Sequence, residues 1–262
     1  MSLYVKIRNW LGALILSGAA LNLEAKTVHI AVAANFNKTM QSLVTAFEKT
    51  SEYRIVMSVG SSGKFYAQLK HGAPYELFFS ADQAKPAALQ RDGLVSRGSR
   101  FTYAIGRLAL WSAHPDFLNK IEQKLQQGAF NKLALANPKL APYGEAAVAV
   151  LDNLGLTTAT QANWVIGENV AQSYQFVDSG NADLGFVALS QLLGAKRVPQ
   201  GAYWIVPIAM HPAIKQDVVV LKRAAQSQGA KAFLDFLHST KAAAIIAEYG
   251  YLVANTMKKE PD

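Results

Sequence analysis

At 262 residues, 51% hydrophobic and 17% charged, the chain has enough apolar material for one large domain or two lobes of roughly 100 residues each, and too much for an extended disordered protein. The absence of cysteine excludes disulfides and any lipid-modified cysteine anchor. A formal charge of +8 would steer anions inward, but Lys and Arg are scattered and no basic run exceeds a few residues, so nucleic acid is not an expected partner.

Residues 1–25 read as a cleavable secretory signal. Lys6 and Arg8 form a basic start, and the uncharged stretch from Trp10 to Leu23 falls short of the roughly 20 residues a spanning helix needs. Cleavage is expected after Ala25 or Ala20. Without a lipid anchor, the exported chain would float free in a periplasm.

From Thr27 onward, strand-like and helix-like runs alternate. A strand is expected over 28–33, then a helix over 36–49 with Phe36, Met40, Leu43, Val44 and Phe47 at helical spacing. A strand at 54–59 leads to a helix at 61–70 that opens on capping residues. A strand at 75–79 follows, and Asp82 is placed to cap a helix running to about Arg91. This βαβαβ order predicts a mostly parallel sheet with helices on both faces.

The apolar run 101–111 reads as one long strand crossing between lobes. A second unit then alternates strands at 132–136, 164–166 and 184–187 with helices at 143–154 and 169–177. Further strands are expected at 203–206 and 217–221, and two helices at 225–237 and 240–249. No low-complexity linker or internal repeat is evident.

Three segments stand where a strand gives way to a helix: Ala33-Ala34-Asn35-Phe36, Gly60-Ser61-Ser62-Gly63-Lys64 and Ala141-Pro142-Tyr143-Gly144. A helix start carries unpaired N–H groups and a partial positive charge, which suits an anion. Val170, just after Asn169, opens another helix and could offer only its backbone N–H. Asn35 reads as a helix cap, a ligand contact or both. Tyr143 reads as an aromatic packed on the core, or as an N–H or phenol donor aimed at a cleft. Ser61 and Lys64 also fit the S-x-x-K spacing of serine acylases, but no K-T-G follows and Ser179-Gly180-Asn181 is a poor match for S-D-N. The five histidines are dispersed, with no pair at metal-binding spacing, so no metal site is expected.

The order of these pieces resembles the periplasmic molybdate-binding proteins of ABC transporters. The likeness runs from about Val28 to Val253 and includes Gly72-Ala73-Pro74-Tyr75-Glu76-Leu77-Phe78-Phe79-Ser80-Ala81-Asp82, Ala182-Asp183-Leu184-Gly185-Phe186-Val187-Ala188 and a glycine-tyrosine turn ending at Tyr251. It implies a two-lobed α/β fold of the type II binding-protein class, with residues 26–106 and 207–262 in one lobe and 107–206 in the other. It also implies molybdate or tungstate as cargo, no cofactor, no catalysis, a membrane permease as partner, and a monomer. By position, Asn35, Ser62, Tyr143 and Val170 match ligand contacts, with Ala34 and Ser61 of second rank. Ala34 stands where some relatives carry a hydroxyl, and Ala188 where another branch has a tyrosine on the anion. Sulfate, phosphate or a carboxylate as the captured anion, a serine hydrolase using Ser61 and Lys64, and ferric-iron capture remain the alternatives. The last of these would want clustered tyrosines at the cleft.

Overall fold

The computed structural model describes residues 26–117, 120–193 and 200–252. The predicted signal, 1–25, and the end of the predicted first lobe beyond 252 lie outside the described residues. Among the described residues, no helix is long and apolar enough to cross a membrane.

Lobe 1 is a five-stranded sheet ordered β2 (Tyr53–Gly60), β1 (Lys26–Ala33), β3 (Leu77–Phe79), β10 (Ile214–Val220), β4 (Phe101–Gly106). Lobe 2 repeats the plan with β7 (Trp164–Gly167), β6 (Leu133–Ala136), β8 (Leu184–Ala188), β5 (Leu108–Ser112), β9 (Ala202–Ile205). In each sheet the first three strands are parallel and the fourth is antiparallel to both neighbours, so four strands run one way and one runs against them. Because β1 has a strand on either side and helices above and below, its run Ile30–Ala33 is buried throughout and reads as continuous apolar sequence.

The predicted single strand over 101–111 is two strands in two different sheets, with Arg107 between them. The apolar run hides this break, because both halves are buried on both faces. The chain returns to lobe 1 between β9 and β10, so two segments join the lobes.

Helix α1 (Asn37–Glu48) buries Met40, Leu43 and Phe47 against lobe 1, and α9 (Gln228–Leu237) and α10 (Thr240–Glu248) pack on the same core. Each such side chain contributes roughly 1.5–3 kcal/mol by leaving water. This core is aromatic: Phe36, Phe79 and Tyr103 stack edge-on, and Phe47 and Phe233 do likewise. The core of lobe 2 is aliphatic, filled by leucine and alanine from β5, β6 and α5 (Pro142–Asn153). The short helices α4 (Ile121–Gln126), α6 (Thr157–Thr160) and α8 (Leu189–Leu192) were not anticipated by the periodicity.

Candidate functional site

Strand register sets the site. In lobe 1, Ala33 at the end of β1 pairs with Gly60 at the end of β2, so the loops leaving both strands emerge side by side. In lobe 2, Ala136 ends β6 opposite Gly167 at the end of β7, with the same result. These four carboxyl-terminal strand ends meet at one pocket with about 10 Å³ of free room, lined by Ala34, Asn35, Ser61, Ser62, Tyr143 and Val170 among others. That is smaller than the roughly 300–1,000 Å³ of sites for organic ligands. All six residues named from the sequence are thus brought together. Ala188 is buried at the end of β8, outside the lining, with its N–H donated to Gln191 Oε1.

Capping leaves one N–H over at each helix start. At α2 (Ser62–Lys70), Gly63 donates to the Leu140 carbonyl at 2.9 Å, and Lys64 donates to the Ser61 hydroxyl and Phe65 to the Ser61 carbonyl. Only the Ser62 N–H of that turn is left. At α5, Pro142 has no N–H, and Gly144 and Glu145 both donate to the Ala141 carbonyl, leaving Tyr143. At α7 (Val170–Asp178), the Asn169 side chain accepts from Ala171 and Gln172, leaving Val170. In the 3-10 turn Ala34–Phe36 the Asn35 N–H is likewise left, together with those of Ala34 and Phe36. Ser62 adds a hydroxyl: its oxygen accepts from the Ala81 N–H at 2.9 Å, which frees its hydrogen to donate. Asn35, Ser62, Tyr143 and Val170 are at most 3% exposed.

Two sequence readings are corrected. Asn35 caps no helix, and both hydrogens of its side-chain amide are donated away from the pocket, to Gln216 Oε1 (2.9 Å) and Tyr251 Oη (3.0 Å). The Tyr143 phenol does not point into the cleft either; it lies 3.4 Å from Gln216 Nε2, beside Gly106 at the end of β4. In both residues the group left for a ligand is the backbone N–H.

Among the described residues, no cationic side chain lines the pocket. Lys64 sits at its rim and bridges the cleft to Glu168 of lobe 2 at 2.7 Å, with both side chains half exposed. The lobes therefore touch across the pocket through both this ion pair and the Gly63–Leu140 hydrogen bond.

Sequence reasoning missed what lies beneath. Tyr103, Tyr143 and Tyr251 gather around Gln216, Asn35 and Ser190 in a buried polar knot. Their partners are more than 60 residues apart in the chain, so no local pattern reports them. The one signal was the polar run Lys215-Gln216-Asp217 leading into the valines of β10. Burial pushes all three phenols above their ordinary value, so they stay protonated. These neutral phenols are hydrogen-bonded to Gln216, Asn35, Ser190 and the Ser80 carbonyl, so they are engaged inside the protein.

Residues 28–252 match the family model described as bacterial extracellular solute-binding protein. Over 241 residues the chain is 45% identical to the molybdate-binding protein ModA of Azotobacter vinelandii, covering 92% of this chain and 94% of the relative. To ModA of Rhodobacter capsulatus it is 40% identical over 238 residues, covering 91% and 93%. The solved structure of the Azotobacter vinelandii periplasmic molybdate-binding protein matches with a TM-score of 0.83 and 39% identity, over 86% of this chain and 99% of that one. These relatives are binding proteins. The site agrees, since the Ser61 oxygen caps a helix and the Lys64 ammonium is held by Glu168, which leaves no serine–lysine dyad. The chain is a solute-binding protein rather than an enzyme, and it belongs to the bacterial extracellular solute-binding protein family, in its ModA group.

Proposed function

We propose that this protein captures molybdate, and tungstate with it, in the pocket between its lobes and hands the anion to the membrane permease of an ABC importer. The observation that carries this reading is the convergence of four leftover N–H groups and one hydroxyl on a small pocket with no cationic side chain among the described residues. Molybdate is a tetrahedral dianion with four acceptor oxygens. A dry cage of neutral donors satisfies it, and the starts of α2, α5 and α7 supply diffuse positive potential. Donors without acceptors disfavour protonated phosphate, which needs a partner for its own hydrogen. Sulfate carries the same charge but is smaller, so cage width must reject it. Closure of the lobes on the anion then presents a joined surface to the permease.

The test is a thermal melt of the mature protein with molybdate, tungstate, sulfate or phosphate at equal excess. A ligand at about a thousand times its dissociation constant adds about 4 kcal/mol, and a chain of this size gains roughly 2–4 °C per kcal/mol. A large shift with molybdate and tungstate alone is expected. A comparable shift with sulfate or phosphate would move the reading to another oxyanion, and no shift with any of them would overturn it.

A further inference from the structure

We infer that Gln216 is a positioning residue for the anion pocket: its buried amide ties the first loop of lobe 1 to the first turn of α5 in lobe 2, and so sets the width over which the N–H donors converge. The inference rests on the oxyanion reading above. Gln216 is fully buried in β10, between Lys215 and the buried Asp217. The pairing of β10 with β4 shifts register between Gln216 and Asp217, and such a bulge re-aims a side chain. Oε1 accepts from Asn35 Nδ2 at 2.9 Å and from the Tyr103 hydroxyl at 3.0 Å, while Nε2 lies 3.4 Å from Tyr143 Oη. One side chain thereby links Asn35 and Tyr143, whose N–H groups approach the pocket from opposite lobes.

Two further features are built around this link. Gly106 is without a side chain where one would intrude: a Cβ there would collide with Tyr143 Oη and stand 2.7 Å from Gln216 Nε2. The other side of the first loop is also fastened, because the Asn35 carbonyl accepts from Ser190 Oγ and Tyr251 Oη, each at 2.8 Å. If stability alone were served, an aliphatic side chain matched by apolar neighbours would do as well. An amide bonded to both lobes fixes a distance instead. A fixed distance favours an anion large enough to reach both walls.

The experiment compares molybdate with sulfate by calorimetry and stopped-flow, on wild type, Gln216→Met, Tyr143→Phe and the double variant. Tyr143→Phe keeps the backbone N–H, and folding of each variant is checked by circular dichroism. The expected result for Gln216→Met is molybdate affinity lower by about tenfold or more, through faster release at an unchanged association rate, with a smaller molybdate-to-sulfate ratio. Tyr143→Phe should reproduce the lower ratio, and the double variant should be no weaker than the weaker single one, as residues in one network are not additive. Should Gln216→Met fail to fold, Tyr143→Phe and the wedge Gly106→Ala carry the same test of the ratio. A wild-type ratio in the folded variants, or simply additive losses, overturns the inference alone. Wild-type protein that binds no oxyanion overturns the functional reading and the inference with it.

Discussion

The two halves of the pocket share a strand order but reach their donors by different routes. In lobe 1 the chain turns as soon as the strands end: Asn35 lies two residues beyond β1 and Ser62 two beyond β2. In lobe 2 an ordered turn over 137–141, pinned by Asn137 to the Gly167 carbonyl, intervenes before α5 begins. Lobe 1 presents a hydroxyl as well as N–H groups and clamps its donors with side chains, through Ala81 to Ser62 and through Gln216, Tyr251 and Ser190 to Asn35. Lobe 2 presents backbone alone, and one of its donors is a valine. One wall of the pocket therefore offers a side-chain hydroxyl beside its N–H groups, and the other offers backbone N–H groups alone.

The largest way to break this arrangement is to attack the knot that both walls share. Tyr103, Tyr143 and Tyr251 hold their protons in the folded protein but ionise near pH 10 once unfolded. Their contribution is thus fully present below about pH 10 and lost as pH rises beyond it, by roughly 1.4 kcal/mol per pH unit for each phenol. Denaturant titrations should show this fall, with tyrosinate absorbance appearing together with unfolding. Separate ionisation of the phenols in folded protein would contradict it.

Next in size is Gly63→Ala. The added Cβ would stand 2.8 Å from the Leu140 carbonyl oxygen, wedging the lobes apart where they touch. Overpacking of about 1–3 kcal/mol confined to the closed form should weaken molybdate binding by roughly tenfold to a hundredfold, while the ligand-free melting temperature barely moves. The contrast between the walls is sharpened by Ser62→Ala against Val170→Ala. The first removes a donor and orphans the Ala81 N–H, and should weaken binding by about tenfold. The second keeps its N–H and should bind as wild type does; equal losses in the two would erase the distinction.

Smaller still are the caps. Ser61→Ala and Asn169→Ala each remove a side chain that accepts from the first turn of a pocket helix, at about 1 kcal/mol of stability in denaturant titration. Smallest is Lys64→Ala. Its partner Glu168 and Lys64 itself are 40% and 55% exposed, so loss of the pair should change binding by less than about 1 kcal/mol and only at low salt.

Most elements could be read because their ends carry chemistry. Ser61 caps its helix as expected, Asn169 caps the helix it was placed in, and Asp82 accepts from the Lys85 N–H although α3 (Ala84–Arg91) begins two residues later. The pocket residues were legible as helix starts following strands, and the family resemblance ordered them. The role of each atom was not. That the Asn35 amide faces inward depends on Gln216 and Tyr251, 181 and 216 residues away. That 101–111 is two strands depends on which sheet each half joins, and apolar residues do not encode that choice. Helices shorter than two turns, such as α6 and α8, are too short to show a period.

The two connections between the lobes have a consequence for the order in which the molecule is made. Every strand of lobe 2, from β5 to β9, is contiguous in the chain, whereas lobe 1 interposes β10 between β3 and β4. A growing polypeptide that has reached residue 206 holds all five strands of the second sheet, while β4 still waits for the neighbour that joins it to the first. The part of the protein that is synthesised first is the last to be completed, and its unpaired strand edges are what a chaperone or an export factor would meet on the nascent chain.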